Sequence, residues 1–200
     1  MTALRLYAVA ALNGESRPLV SETLLILYRD LGAVVRKAPY ARVASEGDDE
    51  VVAQHHVVEE VFAHHAVLPA PPGVIFRDEA AVVQWMELHY AALADGLTFV
   101  DGRCVARLHV SDDEAAEGDS DPKVVAAEMF RELRREASAT LPLRAAEGAT
   151  EFSAAFLIEH PRWEAFSTAV AEAAKKQQGI KWEITGPWPA YDFVQMKFAR

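Results

Sequence analysis

The sequence has a single cysteine in 200 residues, Cys104. One thiol cannot close a disulfide within the chain, and there is no C-x-x-C pair to begin a zinc site. Lying in a stretch of strand propensity, it reads as a buried, inert thiol. Basic charge is also scarce: 20 Lys and Arg face 30 Asp and Glu, a formal net charge of −10. Neither half of the chain is basic, so the positive field that phosphate backbones require is missing and nucleic acid is not an expected partner. Long apolar runs are absent too, and nothing approaches the roughly 20 residues of a membrane-spanning helix. Residues 4–12 are apolar, but the run is short and has only Arg5 as a basic flank. It reads as a first strand instead of a signal peptide, and the chain is expected in the cytoplasm. Walker loop, G-x-G-x-x-G, nucleophile elbow and H-E-x-x-H are all missing.

What is present is 51% hydrophobic residues, ample for packed cores, arranged in two kinds of period. Residues 4–12, 23–28 and 33–36 read as strands, with turns at Asn13-Gly14 and Asp30-Leu31-Gly32. An acidic stretch, in which Asp48 or Asp49 can cap free amides, opens a helix over 51–66. Val51, Val58, Val61 and Phe62 share its inward arc. His56 and Glu60, with His64 at the flank, line its other side, but without a third strong ligand they read as a solvated face. Pro69, Pro71 and Pro72 force residues 67–76 into an extended edge segment. Asp78 caps a second helix, with Val82, Met86, Tyr90 and Leu93 inward, Trp85 and His89 packing beside them, and Gly96 past its end.

From residue 98 the pattern restarts. Residues 98–110 read as strand interrupted by the turn Asp101-Gly102, and 111–121 as an acidic loop without EF-hand spacing. Asp121-Pro122 opens a helix to about residue 137, with Val125, Met129, Phe130 and Leu133 inward. Pro142 and Gly148 bracket a short strand and turn, and 152–158 is an apolar strand. His160-Pro161 opens the last helix, carrying Trp163, Phe166 and Val170 inward and ended by Gly179. The order strand, helix, strand, strand, helix, strand is the split βαβ arrangement of ferredoxin-like folds. The expected fold is therefore α+β in two small domains. Residues 1–96 form a modified sheet-and-helix domain, and residues 97–200 a ferredoxin-like βαββαβ domain with an aromatic, proline-bearing tail.

That tail is the densest signal. Ile180, Trp182 and Ile184 alternate with Lys181, Glu183 and Thr185 as in a half-buried strand, and the alternation stops at Gly186. Pro187 and Pro189 remove two backbone donors and favour an extended path. Trp182, Trp188, Tyr191 and Phe193 load it with aromatic surface that needs cover, and their N–H and O–H groups need partners.

The run Trp182-Glu183-Ile184-Thr185-Gly186-Pro187-Trp188-Pro189-Ala190-Tyr191-Asp192-Phe193-Val194 resembles the C-terminal signature of the gas vesicle GvpL/GvpF family. Weaker matches follow the family's order upstream, in Leu6-Tyr7-Ala8-Val9, in Val67-Leu68-Pro69 with Gly73 and Phe76, and in Ala154-Ala155-Phe156-Leu157. The resemblance implies a two-domain accessory or minor structural protein of gas vesicles. Such a protein binds the small hydrophobic shell protein GvpA and other accessory Gvp proteins during assembly, in the cytoplasm and on the vesicle. It implies no catalysis, cofactor or metal. Gly186, Pro187, Trp188, Pro189 and Tyr191 then have two possible roles, locking the last strand at the domain interface or touching the partner. Because ferredoxin-like scaffolds also host other functions, the alternative is a small enzyme or ligand-binding protein, which needs a deep pocket with converging ionisable groups.

Overall fold

Residues 3–10 of the first strand are almost unbroken in apolar character, the pattern of a strand covered on both faces. In a computed structural model, which describes residues 2–12, 20, 22–39, 48–112, 122–144, 150–176, 179–194, 196 and 198, that segment lies at the centre of a sheet. The chain gathers into two compact units, Met1–Asp101 together with Pro189–Arg200, and Gly102–Trp188.

In the first unit the strands are β1 (Thr2–Ala11), β2 (Leu24–Tyr28), β3 (Leu31–Pro39), β4 (Val67–Pro69) and β5 (Ile75–Phe76). Their order is β2-β3-β1-β4, with β5 also paired to β1 and all pairings antiparallel. Helices α1 (Asp48–Phe62) and α2 (Glu79–Val100) complete it. The extended, edge reading of residues 67–76 holds, since β4 ends the sheet. The β2–β3 turn is Arg29-Asp30, Arg29 having φ +55°, and not Asp30-Leu31-Gly32; Leu31 and Gly32 are already paired with Tyr28 and Leu27.

Helix α1 buries Val57, Val58 and Val61 with the amide of Gln54, whose Nε2 donates to the Ala70 carbonyl at 2.6 Å. Val51, expected inward, stays 46% exposed in the first turn. At α2 the Asp78 cap is as read: its Oδ1 accepts from the Ala81 amide at 2.9 Å. That bond, with help from the Arg77 guanidinium, holds the Asp78 carboxyl below its usual range. The helix end is corrected. Residues 98–100 are helical, and α2 runs through Gly96, where the sequence suggested a helix end. A β-carbon at Gly96 would stand 3.2 Å from Leu68 Cδ1, so this glycine serves close packing and not termination. Tyr90, expected inward, is half-buried, and its hydroxyl donates to Asp30 Oδ1 at 2.7 Å.

Among the described residues one charged side chain is buried in this sheet. Arg5 in β1 is 6% exposed, and its Nη1 donates to Glu50 Oε2 of α1 at 2.8 Å. Arg36 stands directly across the ladder from Arg5, a like-charge pairing that costs energy unless each cation is neutralised. Arg36 reaches Glu22 at 3.7 Å and lies over the Tyr7 ring. Glu50 is therefore the counter-ion of a buried cation and also ties α1 to the sheet.

The second unit is the ferredoxin-like one: β6 (Arg103–Asp112), α3 (Pro122–Leu133), β7 (Ala139–Leu143), β8 (Thr150–Glu159), α4 (Trp163–Ala174) and β9 (Ile180–Trp188). Its sheet order, β7-β8-β6-β9, is antiparallel throughout. Pro142 lies inside β7 and does not bracket it. As β7 is an edge strand, a missing N–H is tolerated there. Helix α3 ends at Leu133, one turn before the expected residue 137, and α4 is preceded by a 3-10 turn, His160–Arg162. Cys104 is fully buried, and burial pushes its thiol pKa up to about 11. The expected turn Asn13-Gly14, the Asp121 cap and Gly148 lie outside the described residues.

Replacing Glu50 with Ala strands the Arg5 guanidinium in the core. Because Glu50 keeps about a third of its surface in water, the expected loss is about 2 kcal/mol, below that of a fully buried pair. Urea unfolding of Glu50→Ala checks it, and Glu50→Gln, which retains a hydrogen-bond acceptor, should lose less.

Candidate functional site

The tail motif is built from the strand that precedes it. Strand β9 pairs with β6 from Asp112↔Ile180 to Arg107↔Thr185, shifts register, and resumes at Val105↔Trp188. The alternation breaks at Gly186 as read, and pairing to β6 nevertheless resumes at Trp188. β9 is an edge strand, so Pro187 removes no obligatory sheet bond, and the shift absorbs the irregular backbone. The Gly186-Pro187 peptide is cis, and Gly186 has φ +137°. A β-carbon on Gly186 would meet the Val105 carbonyl oxygen at 2.7 Å and the Trp163 ring at 3.0 Å. Only glycine fits at that approach. Trp188, half-buried, donates its indole N–H to Thr185 Oγ1 at 3.0 Å. Thus Thr185, Gly186 and Trp188 each meet a neighbour within the second unit.

The motif's later residues belong to the first unit. Pro189 and Ala190 are buried. Tyr191 packs against the cluster of Tyr7, Val34, Val57, Val58 and Val61, with its hydroxyl 3.1 Å from His55 Nδ1. His55 Nε2 in turn lies 3.2 Å from Glu59 Oε1. A ring donating through Nε2 to Glu59 and accepting the phenol proton at Nδ1 satisfies both contacts. Further on, Phe198 stacks on Trp85 with centroids 5.0 Å apart and meets Phe76 edge-on. The aromatic tail is covered, as its composition demands. Trp182 departs from the expectation: its Nε1 is buried and has no hydrogen-bond partner among the described residues.

The remaining candidates do not converge. His56, Glu60 and His64 are exposed, and the carboxylate nearest His56 is that of Glu59, 3.9 Å away, not Glu60. Among the described residues no group of three His, Cys, Asp or Glu could hold a metal ion. In the second unit a shallow groove of about 200 Å³ lies between α3 and α4, lined by Leu133, Ala165, Phe166 and Ala169, with the Glu136–Arg162 ion pair at its rim. In the first unit a depression of about 160 Å³ holds Asp30, Thr98 and Asp101. Neither brings together an acid, a base and a nucleophile as a reaction centre would. No helix among the described residues is long and apolar enough to cross a membrane.

Comparison with known proteins fits this geometry. The family model described as gas vesicle synthesis protein GvpL/GvpF matches residues 6–124 and 105–195. The chain belongs to the GvpL/GvpF family. It is 26% identical over 199 residues to gas vesicle protein F2 of Halobacterium salinarum, covering 93% of this chain and 86% of that one. Its fold matches the crystal structure of GvpF from Anabaena sp. PCC7120, with TM-score 0.85 and 16% identity over 100% of this chain and 99% of that one. It also matches GvpF from Microcystis aeruginosa, with TM-score 0.81 and 13% identity over 97% and 99%. GvpL/GvpF proteins are gas vesicle proteins and not enzymes, so the chain has a gas vesicle assembly role and the alternative of a small enzyme is set aside.

Among the residues with defined partners that escaped the sequence reading are Arg5, Glu50 and His55. A cation inside an apolar strand was the available signal for the first; the other two carry no local mark. Gly186→Ala should cost about 3 kcal/mol, from the positive φ and the clash with a backbone oxygen, read as a lowered midpoint in denaturant. Tyr191→Phe removes one partly buried hydrogen bond and should cost about 1 kcal/mol in the same assay.

Proposed function

We propose that this chain acts in the cytoplasm as an accessory or minor structural protein of gas vesicles, binding the small hydrophobic shell protein GvpA and sibling accessory proteins while the shell is built. The observation that carries the reading is the family match, which extends from residue 6 to residue 195. The chemistry is consistent with it. A shell subunit with one water-averse face needs a partner before it is incorporated, and an acidic protein with exposed apolar side chains can hold it without catalysing anything.

Within this reading Gly186, Pro187, Trp188, Pro189 and Tyr191 are assigned to holding the fold. Thr185 occupies the Trp188 indole N–H, His55 occupies the Tyr191 hydroxyl, and Gly186 lies against the Val105 carbonyl. Co-expression with a tagged shell protein, followed by affinity purification, tests the binding: the chain should co-purify, and its absence from the eluate would sink the proposal. Trp188→Ala separates the two motif roles. Half-burial sets its expected cost at about 2 kcal/mol, short of the 3–5 kcal/mol of a fully buried tryptophan. Its folded fraction should still capture the shell protein; unchanged melting with lost capture would make Trp188 a contact residue instead.

A further inference from the structure

Helix α2 buries Val82, Trp85, Met86, Leu93, Leu97 and Val100 along one side, and a helix so committed is expected to be polar on the other. It is not. Leu88 is 77% exposed and Phe99 40% exposed, with exposed Ala91 and Ala92 between them. At 100° per residue, positions 88, 91, 92, 95 and 99 fall within an arc of about 100°, and the stripe from 88 to 99 is about 16 Å long. Two large side chains at its ends and two alanines between them make a saddle. The small residues allow the ridge of a second helix to approach to the usual separation of about 8–10 Å.

Charge narrows the partner. Exposed Glu87 and Asp95 stand beside and within the stripe, and the sequence of α2 contains no lysine or arginine. An apolar helix rimmed by acid groups would be repelled, whereas one flanked by cations would be steered in. We propose that the outward face of α2 is the docking surface for the shell protein, and that it takes an amphipathic helix whose apolar stripe is flanked by lysine or arginine. This rests on the assembly reading above and names its surface.

The test uses the full-length chain co-expressed with tagged shell protein, comparing wild type, Leu88→Glu, the double reversal Glu87→Lys/Asp95→Lys, and the control Leu141→Glu on edge strand β7. Leu88→Glu and the double reversal should each cut capture at least tenfold. Wild-type capture should weaken as salt is raised, and Leu141→Glu should behave as wild type. Leu88→Glu should melt like wild type, because its side chain already stands in water. If both α2 variants capture as wild type does, this surface is wrong and the assembly reading stands; if wild type captures nothing, both fall. Loss of capture in Leu88→Glu alone overturns the cationic flank, and a Leu88-dependent dimer of this chain without shell protein makes a second copy the occupant and overturns the proposal.

Discussion

Residue 186 has no room for a β-carbon: one placed there would stand 2.7 Å from the Val105 carbonyl oxygen. This close approach carries β9 past the point where its alternation breaks. The strand shifts register opposite residues 105–107, re-forms at Trp188, and has the Trp188 indole bonded back to Thr185. Only beyond that does the chain supply Tyr191 to the cluster around Val57 and Val58 and Phe198 to the face of Trp85. The first unit is thus discontinuous in sequence, formed by residues 1–101 and 189–200. Its contacts with the tail, such as His55 with Tyr191, are separated by more than a hundred residues. Such contacts carry a loop-closure cost that local ones do not.

Periodicity made the elements legible, and sheet edges account for most of the errors. The helix and strand order after residue 101 was readable because apolar period changes cleanly between 2 and 3.6, and the ferredoxin-like strand order follows from it. Gly96 and Pro142 were read as boundaries and Gly186-Pro187 as the end of the alternation, yet each lies inside an element. Glycine and proline punctuate a chain only when their neighbours need the missing side chain or the missing N–H. Gly96 lies inside α2 because Leu68 leaves no room for more, and both prolines lie on edge strands. Which strand is an edge is a property of the whole sheet, not of the local sequence. Arg5 illustrates the same limit: a cation in an apolar strand signals a buried partner, but the partner is Glu50, 45 residues away.

The tail motif is informative about identity and much less so about contact. Its threonine, glycine, tryptophan and tyrosine each meet a group of this chain, so their spacing encodes a backbone path. A resemblance resting on them carries the fold, and a binding surface has to be argued from other residues. Side chains that could meet another protein must be sought where the folded chain leaves apolar area uncovered, and Leu88 is the largest such residue by fractional exposure among those described. The sequence reading passed over it because it falls outside the stripe of Val82, Met86 and Leu93. A leucine on the arc that should be polar was the signal.

The size of that surface suits the proposed task. Covering one exposed leucine contributes roughly 1.5–3 kcal/mol, and a partly exposed phenylalanine contributes less than its full burial would. Against the several kcal/mol lost in association, such a stripe reaches useful affinity only with help from charge. Complementary charges at its rim mainly raise the encounter rate, leaving dissociation fast. On the proposed role, a protein that holds a shell subunit during assembly would also have to release it. In the proposed role a short apolar saddle in an acidic surround would suit transient holding better than a deep pocket, because it would cover an apolar face while burying little area.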